Sequence, residues 1–323
     1  MNSYAKGIAF CVIATVSWGG MFPVMNDALL HVDPFTFTLL RYGLAGVAFL
    51  AVLLYREGID SLNLRGDRVW LAWLFGTAGF AGFGFLVFLG QQMAGAEGAL
   101  TASIIMATQP MLGLLVNWVL RKVVPPTYSI FFIALSFCGV ALVVTRGDVG
   151  ALLSAPGNFS AQIIILLGAL CWVLYTIGGS FFPSWSPYKY TTVTTGLGLV
   201  SVLVINVALW LSGTIALPSA QQLNTVAPHL AYMAFFAGFV GVLCWNLGNK
   251  ILTPLNAVLF MDVIPLTAFL ISAAQGIVPA HVQIIGASLT GIALVCNNLY
   301  VRMMAARKNV LAMNGGITQS RAS

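Results

Sequence analysis

The chain consists mainly of long apolar segments separated by short polar connections. A helix that crosses the ~30 Å hydrocarbon core of a membrane needs about 20 consecutive apolar residues. Ten segments of about that length can be recognised. They cover residues 7–25, 34–55, 69–90, 98–120, 127–145, 161–182, 188–211, 229–249, 255–275 and 281–301. This pattern predicts an all-α integral membrane protein with ten transmembrane helices.

The composition agrees with this interpretation. Hydrophobic residues make up 59% of the 323 residues and charged residues only 7%, and the mean hydropathy is +0.95. A soluble domain carries about 25% charged residues, so this chain lacks the polar side chains needed to cover a water-facing surface. Lys6 and the apolar run after it resemble the start of a signal peptide, but no A-x-A-like cleavage site follows. We therefore expect the first segment to be retained as a helix.

The basic residues predict the orientation in the membrane. Lys and Arg accumulate in the cytoplasmic connections of membrane proteins. With the N-terminus inside, all fourteen Lys and Arg residues except Arg146 and Arg41 fall on the cytoplasmic side. We expect a bacterial inner-membrane protein with both termini in the cytoplasm. The pI of about 9.2 then reflects topology, and no nucleic-acid partner is expected because the basic residues form no continuous groove.

Sequence motifs of cofactor, metal and enzyme sites are absent. The five cysteines form no C-x-x-C pair, and the three histidines lack a zinc-ligand spacing. The chain contains no phosphate-binding G-x-x-x-x-G-K-[ST] loop and none of the motifs D-D-x-x-D, H-E-x-x-H or G-x-S-x-G. We therefore expect no cofactor and no metal. An enzyme acting on lipid is therefore disfavoured, and a channel is disfavoured as well, because neither a ring of like charges nor a carbonyl filter is evident in the sequence.

Similar segments occur in the same order in the two halves of the chain. They are DPFTFTLLRYGL (33–44) and SPYKYTTVTTGL (186–197), AGFAG (78–82) and AGFVG (237–241), Pro110 and Pro265, and GVALV (139–143) and GIALV (291–295). Shared apolar composition is the simpler explanation, but the common order favours duplication. We predict two five-helix repeats, residues 1–150 and 151–304, followed by a mobile cytoplasmic tail, residues 305–323. Because five is odd, the second repeat enters the membrane inverted, as in many secondary transporters.

These features resemble a known family of transporters. The first segment contains the stretch S-W-G-G-x-F-P (Ser17–Pro23), the second and seventh begin with Pro and an aromatic residue, and the fourth and ninth contain a proline. The chain resembles the drug/metabolite transporter superfamily, its EamA-type ten-helix branch, and most of all YddG-type aromatic amino-acid exporters. The resemblance implies a central cavity lined by helices one, three, four, six, eight and nine. It also implies export of amino acids or related metabolites.

The two prolines of the repeat are candidate site residues. A proline inside a helix frees the carbonyl four residues earlier, which is that of Met106 for Pro110 and that of Met261 for Pro265. Lipid offers such carbonyls no partner, so they should face protein or a water-filled cavity. Corresponding proline-interrupted helices indicate a transporter binding site. A tolerated kink is the alternative.

Two ionisable residues fall within the apolar segments. Asp262 lies near the middle of the ninth segment, where a carboxylate costs a few kcal/mol and usually faces a cavity or a partner. It is a candidate for ammonium recognition or proton transfer, or it forms a packing hydrogen bond as a neutral acid. Arg41 is a candidate for binding a substrate carboxylate. An internal ion pair or extension of its long side chain to the membrane surface are the alternatives.

Aromatic and amide side chains share helix faces at i, i+3 or i, i+4 spacing. Such faces could form an apolar cage with a few polar points, which is what a small-molecule pocket needs. The candidate residues are Trp18, Met21, Phe80, Phe83, Trp172, Tyr175, Trp245 and Asn246. Gln109 or Asn246 would donate to a substrate carboxylate, and core packing is the alternative for each residue.

The orientation can be tested by cysteine labelling. Single cysteines at Asn63 and Asn309, in a background without the native cysteines, should resist an impermeant maleimide in intact cells. Cysteines at Asp148 and Ser219 should react, because these positions fall on the external side when the basic residues are cytoplasmic. Labelling at Asn63 and Asn309 would overturn the predicted orientation.

Overall fold

The computed structural model describes residues 3–122, 124–145, 147–148, 159–252, 260–261, 263–276 and 280–320. Within these ranges the chain forms helices joined by turns, with no strand among them. The helices are α1 (Ser3–Ala28), α2 (Pro34–Glu57), α3 (Val69–Met93), α4 (Gly98–Met106), α5 (Gln109–Arg121), α6 (Thr127–Thr145), α7 (Ser160–Gly178), α8 (Pro187–Leu211), α9 (Ala220–Leu252), α10 (Val263–Ala274) and α11 (His281–Ser320). The expectation of an all-helical protein is confirmed.

Length and composition identify the membrane-crossing helices. Six helices in the described part of the chain can cross a membrane by this criterion, namely α1, α2, α3, α7, α8 and α9. Helices α4 and α5 qualify as a pair that is bent by 48°. Three further predicted spans, 127–145, 255–275 and 281–301, contain shorter apolar helical segments. These segments are Thr127–Val143, Val263–Ala274 and His281–Asn297. The count of ten remains a prediction, since residues 253–259 and Asp262 lie outside the described residues.

The structure divides the predicted span 98–120. Helix α4 ends at Met106 and α5 begins at Gln109, with Pro110 in its first turn. A proline is tolerated there because the first N–H groups of a helix have no intrahelical acceptor. Pro110 therefore begins a helix, whereas the sequence pattern placed it within one.

Two other helices extend beyond their predicted ends. Helix α9 begins at Ala220, nine residues before the predicted span 229–249, because Ser219 and Gln222 form a capping box. Helix α11 continues from the predicted span 281–301 through Ser320. The mobility of the predicted tail remains a prediction.

The duplicated segments adopt the same local structures. Helices α2 and α8 both begin with a proline after a residue whose side chain accepts from backbone N–H groups, Asp33 in the first half and Ser186 in the second. The segments AGFAG and AGFVG both lie in π-helical stretches, Thr77–Gly82 of α3 and Tyr232–Gly241 of α9. Such wider turns are rare and frequently occur at functional sites.

Each half packs its helices against the other half. Helix α1 contacts α9 and α10, and α7 contacts α3 and α5. Helices α2 and α8 pack against each other, as do α6 and α11. The core is therefore shared between the halves, and within it the Trp18 ring of α1 contacts the Trp172 ring of α7.

Helices α3 and α8 approach each other through glycines. A Cβ atom added at Gly76 would meet the carbonyl oxygen of Thr194, and one added at Gly198 would meet the carbonyl oxygen of Gly76. Small residues allow such close backbone contact between membrane helices. This contact holds the π-helical stretch of α3 against the second half.

Side chains from the first half bind backbone carbonyls of the π-helical stretch of α9. Trp18 donates from Nε1 to the carbonyl of Ala237 at 3.0 Å, and Arg41 donates from Nε to the carbonyl of Met233 at 3.0 Å. Because lipid cannot hydrogen-bond a carbonyl, these donors stabilise the irregular backbone of α9.

Substituting alanine for Gly198 should destabilise the protein, because the new methyl group meets backbone that cannot move aside. Overpacking of this kind costs about 1–3 kcal/mol. The matched control is Gly196→Ala on the same helix, where a Cβ atom meets nothing within 4 Å. The control should be neutral or stabilising by about 0.5–1 kcal/mol. The apparent melting temperature in detergent separates the two, and equal values would contradict the close contact.

Phenylalanine substitution at Trp18 tests the hydrogen bond to α9. Trp18→Phe should cost about 1 kcal/mol more than Trp245→Phe. Both rings are buried and lie 5.4 Å apart, but Nε1 of Trp245 has no hydrogen-bond partner among the described residues. Chemical unfolding in micelles gives the difference. Equal losses would show that the Trp18 bond adds no stability.

Candidate functional site

A narrow cavity lies at the centre of the helices. Its walls come from α1, α2, α3, α4, α5, α7, α9 and α10, and therefore from both halves of the chain. The lining residues are Trp18, Met21, Phe22, Arg41, Tyr42, Phe83, Met106, Gln109, Trp172, Val242 and Ile264. The family resemblance implied a lining from predicted helices one, three, four, six, eight and nine, which correspond to α1, α3, the α4–α5 pair, α7, α9 and α10. All of these helices contribute, and α2 contributes in addition.

Seven candidates from the sequence line this cavity together. They are Trp18, Met21, Arg41, Phe83, Met106, Gln109 and Trp172. Four lining residues were not among the candidates, namely Phe22, Tyr42, Val242 and Ile264. Sequence position could have identified two of them as candidates, because Phe22 lies in the S-W-G-G-x-F-P stretch and Tyr42 follows Arg41. Val242 and Ile264 carry no signal that distinguishes them from other apolar residues.

Other candidates form a second layer behind the cavity wall. Tyr175 contacts Trp172 with ring centroids 5.0 Å apart, and Phe80 contacts Tyr175 at 5.3 Å. Trp245 contacts Trp18, and Met261 is buried within the same core cluster. Tyr175, Phe80 and Trp245 contact lining side chains, and none of the four residues lines the cavity itself.

The remaining candidates lie elsewhere. Asn246 donates to the hydroxyl of Thr191 at 2.7 Å, away from the cavity lining. Pro265 lies along a second, apolar cavity of about 580 Å³ between α4, α10 and α11. Pro110 follows the lining residue Gln109 without lining the cavity itself. Asp262 lies outside the described residues.

Aromatic rings form one side of the cavity. The Trp18 and Trp172 rings meet edge to face at 5.6 Å, and Phe83 contacts Trp172 at 5.1 Å. Edge-to-face and tilted pairs of this kind are favourable beyond the area they bury. The arrangement provides a preformed surface for an apolar or aromatic group.

Arg41 provides the positive charge of the cavity. Its side chain is 1% exposed, and its guanidinium lies 4.7 Å from the Tyr42 ring and 5.4 Å from the Phe88 ring. In addition to its bond to Met233, it donates from Nη2 to the sulfur of Met21 at 3.2 Å. Nη1 has no hydrogen-bond partner among the described residues.

Gln109 provides a neutral donor. Its amide donates to the sulfur of Met106 at 3.2 Å. A thioether is a weak acceptor, so a stronger acceptor that entered the cavity could replace it. The cavity thus combines an aromatic side with the terminal guanidinium nitrogens of Arg41 and the amide of Gln109, which have only thioether partners among the described residues.

The cavity is small, with room for about one water molecule. From Trp172 a row of aromatic contacts continues through Tyr175 and Tyr190 to Phe182. Beyond this row, Lys189 pairs with Asp67 at 3.3 Å. A second contact between the halves joins Asp27, near the end of α1, to His229 of α9 at 2.7 Å. Contacts between the halves therefore lie on both sides of the cavity.

Comparison with known proteins identifies the family. The model of the EamA-like transporter family matches residues 5–145 and again residues 159–299, so each half carries one EamA repeat. The chain is 35% identical to the uncharacterized transporter YrdR of Bacillus subtilis (strain 168) over 296 residues, which cover 92% of each protein. It is 29% identical to the uncharacterized transporter YyaM of the same organism over 292 residues, 90% of this chain and 91% of that protein.

A solved structure shares the fold. It is described only as the crystal structure of a protein, and it superposes with a TM-score of 0.65 at 17% identity, covering 92% of this chain and 99% of its own. The family and the relatives are transporters, which confirms the expectation that the chain is not an enzyme. The chain therefore belongs to the EamA-like transporter family, as a multi-pass membrane protein that carries a small molecule across the lipid bilayer.

Proposed function

We propose that this transporter exports amino acids, aromatic and other neutral ones, or similar small metabolites from the cytoplasm by alternating access. The observation that carries the proposal is the central cavity, whose aromatic wall combines Trp18 and Phe83 of the first repeat with Trp172 of the second, beside two donor side chains of the first repeat. A small-molecule site needs this combination of apolar enclosure and a few polar groups.

The proposed binding mode uses the cavity as the structure arranges it. Trp18, Phe83 and Trp172 enclose the substrate side chain, and the donor amide of Gln109 contacts its carboxylate. Asp262 holds the ammonium group. Its role rests on the sequence, because a carboxylate within an apolar segment is costly and usually faces a cavity or a partner.

Alternating access accounts for the small volume of the cavity. In the proposed topology, ten helices form two inverted repeats, residues 1–150 and 151–304, with the substrate between them. A cavity with room for about one water must widen to admit a solute, which requires the repeats to separate on one side. The Lys189–Asp67 pair and the Asp27–His229 pair join elements of the two halves at opposite ends. In this mechanism they open in turn.

The direction of transport and the location belong to the same proposal. The basic residues favour cytoplasmic termini in a bacterial inner membrane, and the family resemblance implies export. A different metabolite or drug class is the alternative substrate, because the lining is mainly apolar and could accept other compounds of similar size.

Proteoliposome counterflow with labelled phenylalanine and threonine tests the proposal. The wild-type protein should exchange both, because it recognises the amino-acid group that they share, while each methylene-sized difference in the side chain changes binding in an apolar pocket by only about 1–3 kcal/mol. Trp172→Ala should change the ratio of phenylalanine to threonine transport by about tenfold, with a smaller loss in total flux. Trp118→Ala is the control, because Trp118 on α5 is 42% exposed and lies outside the cavity lining.

Deaminated analogues of both amino acids serve as competitors in the same assay. They should compete poorly if the ammonium group is recognised. Equal competition would contradict amino-acid recognition and would favour another class of metabolite. Flux that saturates with substrate and shows counterflow also distinguishes a carrier from a channel.

A further inference from the structure

The charge of Arg41 is not neutralised by any protein group that the structure describes. Among the described residues, Lys189 forms an ion pair with Asp67, and the His229 ring contacts the carboxylate of Asp27. Arg41 is in neither, although its side chain is 1% exposed and it lies within an apolar span. A buried guanidinium in a membrane protein is costly, and such residues usually mark a ligand or ion pathway.

The hydrogen bonds of Arg41 leave its terminal edge available. A guanidinium has five N–H donors in a planar fork. The Nε donor is used by the carbonyl of Met233, Nη2 contacts only the thioether of Met21, and Nη1 has no partner among the described residues. The edge formed by Nη1 and Nη2 matches the two oxygens of a carboxylate, which it binds with two parallel hydrogen bonds.

The guanidinium is also held in place before any ligand binds. The bond to Met233 and the rings of Tyr42 and Phe88 fix its position. Arg41 and Gln109 both line the central cavity, and Gln109 likewise contacts only a thioether. The Nη1–Nη2 edge of Arg41 and the amide of Gln109, neither of which has a strong acceptor among the described residues, thus line the same buried cavity as the aromatic rings.

We propose that Arg41 is the anion-binding residue of the cavity and that the transported molecule carries a carboxylate, which binds the Nη1–Nη2 edge. This inference rests on one part of the proposed function, namely that the central cavity is the substrate site. It adds that the anionic group is required for binding. Amino acids and simple organic acids share this group, and the aromatic wall accommodates the apolar remainder of either.

The test compares three ligands that differ in their charged groups. Phenylalanine has both charges, phenylalaninamide lacks the carboxylate, and phenylpropionate lacks the ammonium. Binding is followed by the tryptophan fluorescence of the purified protein, since Trp18 and Trp172 line the cavity. The wild-type protein should bind phenylalaninamide at least about tenfold more weakly than phenylalanine, because a charged hydrogen bond is lost.

Variants of Arg41 connect this preference to the residue. Arg41→Gln should weaken phenylalanine binding by about tenfold to a hundredfold and leave phenylalaninamide binding unchanged, which removes the preference for the acid. Arg41→Lys keeps the charge without the fork and should retain part of the preference. Arg56→Gln is the matched control, because Arg56 lies on the same helix, is exposed and lies outside the cavity lining.

The outcomes separate this inference from the proposed function. Equal binding of acid and amide by the wild-type protein, or an unchanged acid preference in Arg41→Gln, would overturn the role of Arg41. If Arg41→Gln does not fold, the wild-type ligand comparison and Arg41→Lys still decide. Binding of phenylpropionate without phenylalanine would reject amino-acid transport and support the anion site. Counterflow only of solutes that lack a carboxylate would reject the anion site and leave the transporter intact.

Discussion

Two hydrogen bonds to the π-helical stretch of α9 connect the main features of this structure. The carbonyls of Met233 and Ala237 lie within a membrane-spanning helix, where lipid cannot hydrogen-bond them. Arg41 and Trp18 donate to them from the first repeat. Both side chains also line the central cavity. The bonds that join the repeats therefore also position one charged and one aromatic wall of the cavity.

This arrangement links the shape of the cavity to the packing of the repeats. A separation of α1 or α2 from α9 would break one of these bonds and move a lining side chain with it. On the other side of the core, Gly76 and Gly198 bring α3 and α8 into direct backbone contact. One contact depends on side-chain donors and the other on the absence of side chains, so the two repeats do not hold each other in the same way.

Hydropathy predicted the six long apolar helices, and residue types and spacing placed seven of the eleven cavity-lining residues among the candidates, since length and helix faces follow from the local sequence. They located Trp18, Phe83 and Trp172 in one cavity. They did not predict that α4 ends at Met106, because an apolar run remains apolar across a break. They also did not separate Pro265, which lies at another cavity, from the residues of the central one. In a helix that is apolar on every side, composition does not identify which face meets the protein centre.

The two repeats differ in charge at one pair of equivalent positions on their second helices. At the offset that pairs Pro34 with Pro187, the counterpart of Arg41 is Thr194. Both face the third helix of the opposite repeat: Arg41 reaches Met233 of α9, and the carbonyl of Thr194 lies against Gly76 of α3. The hydroxyl of Thr194 donates to the carbonyl of Tyr190 on its own helix. A threonine that bonds its own helix allows close backbone packing, whereas an arginine at this position reaches into the cavity. The two repeats therefore contribute similar helices on both sides of the cavity, and the Arg41 guanidinium makes one side charged.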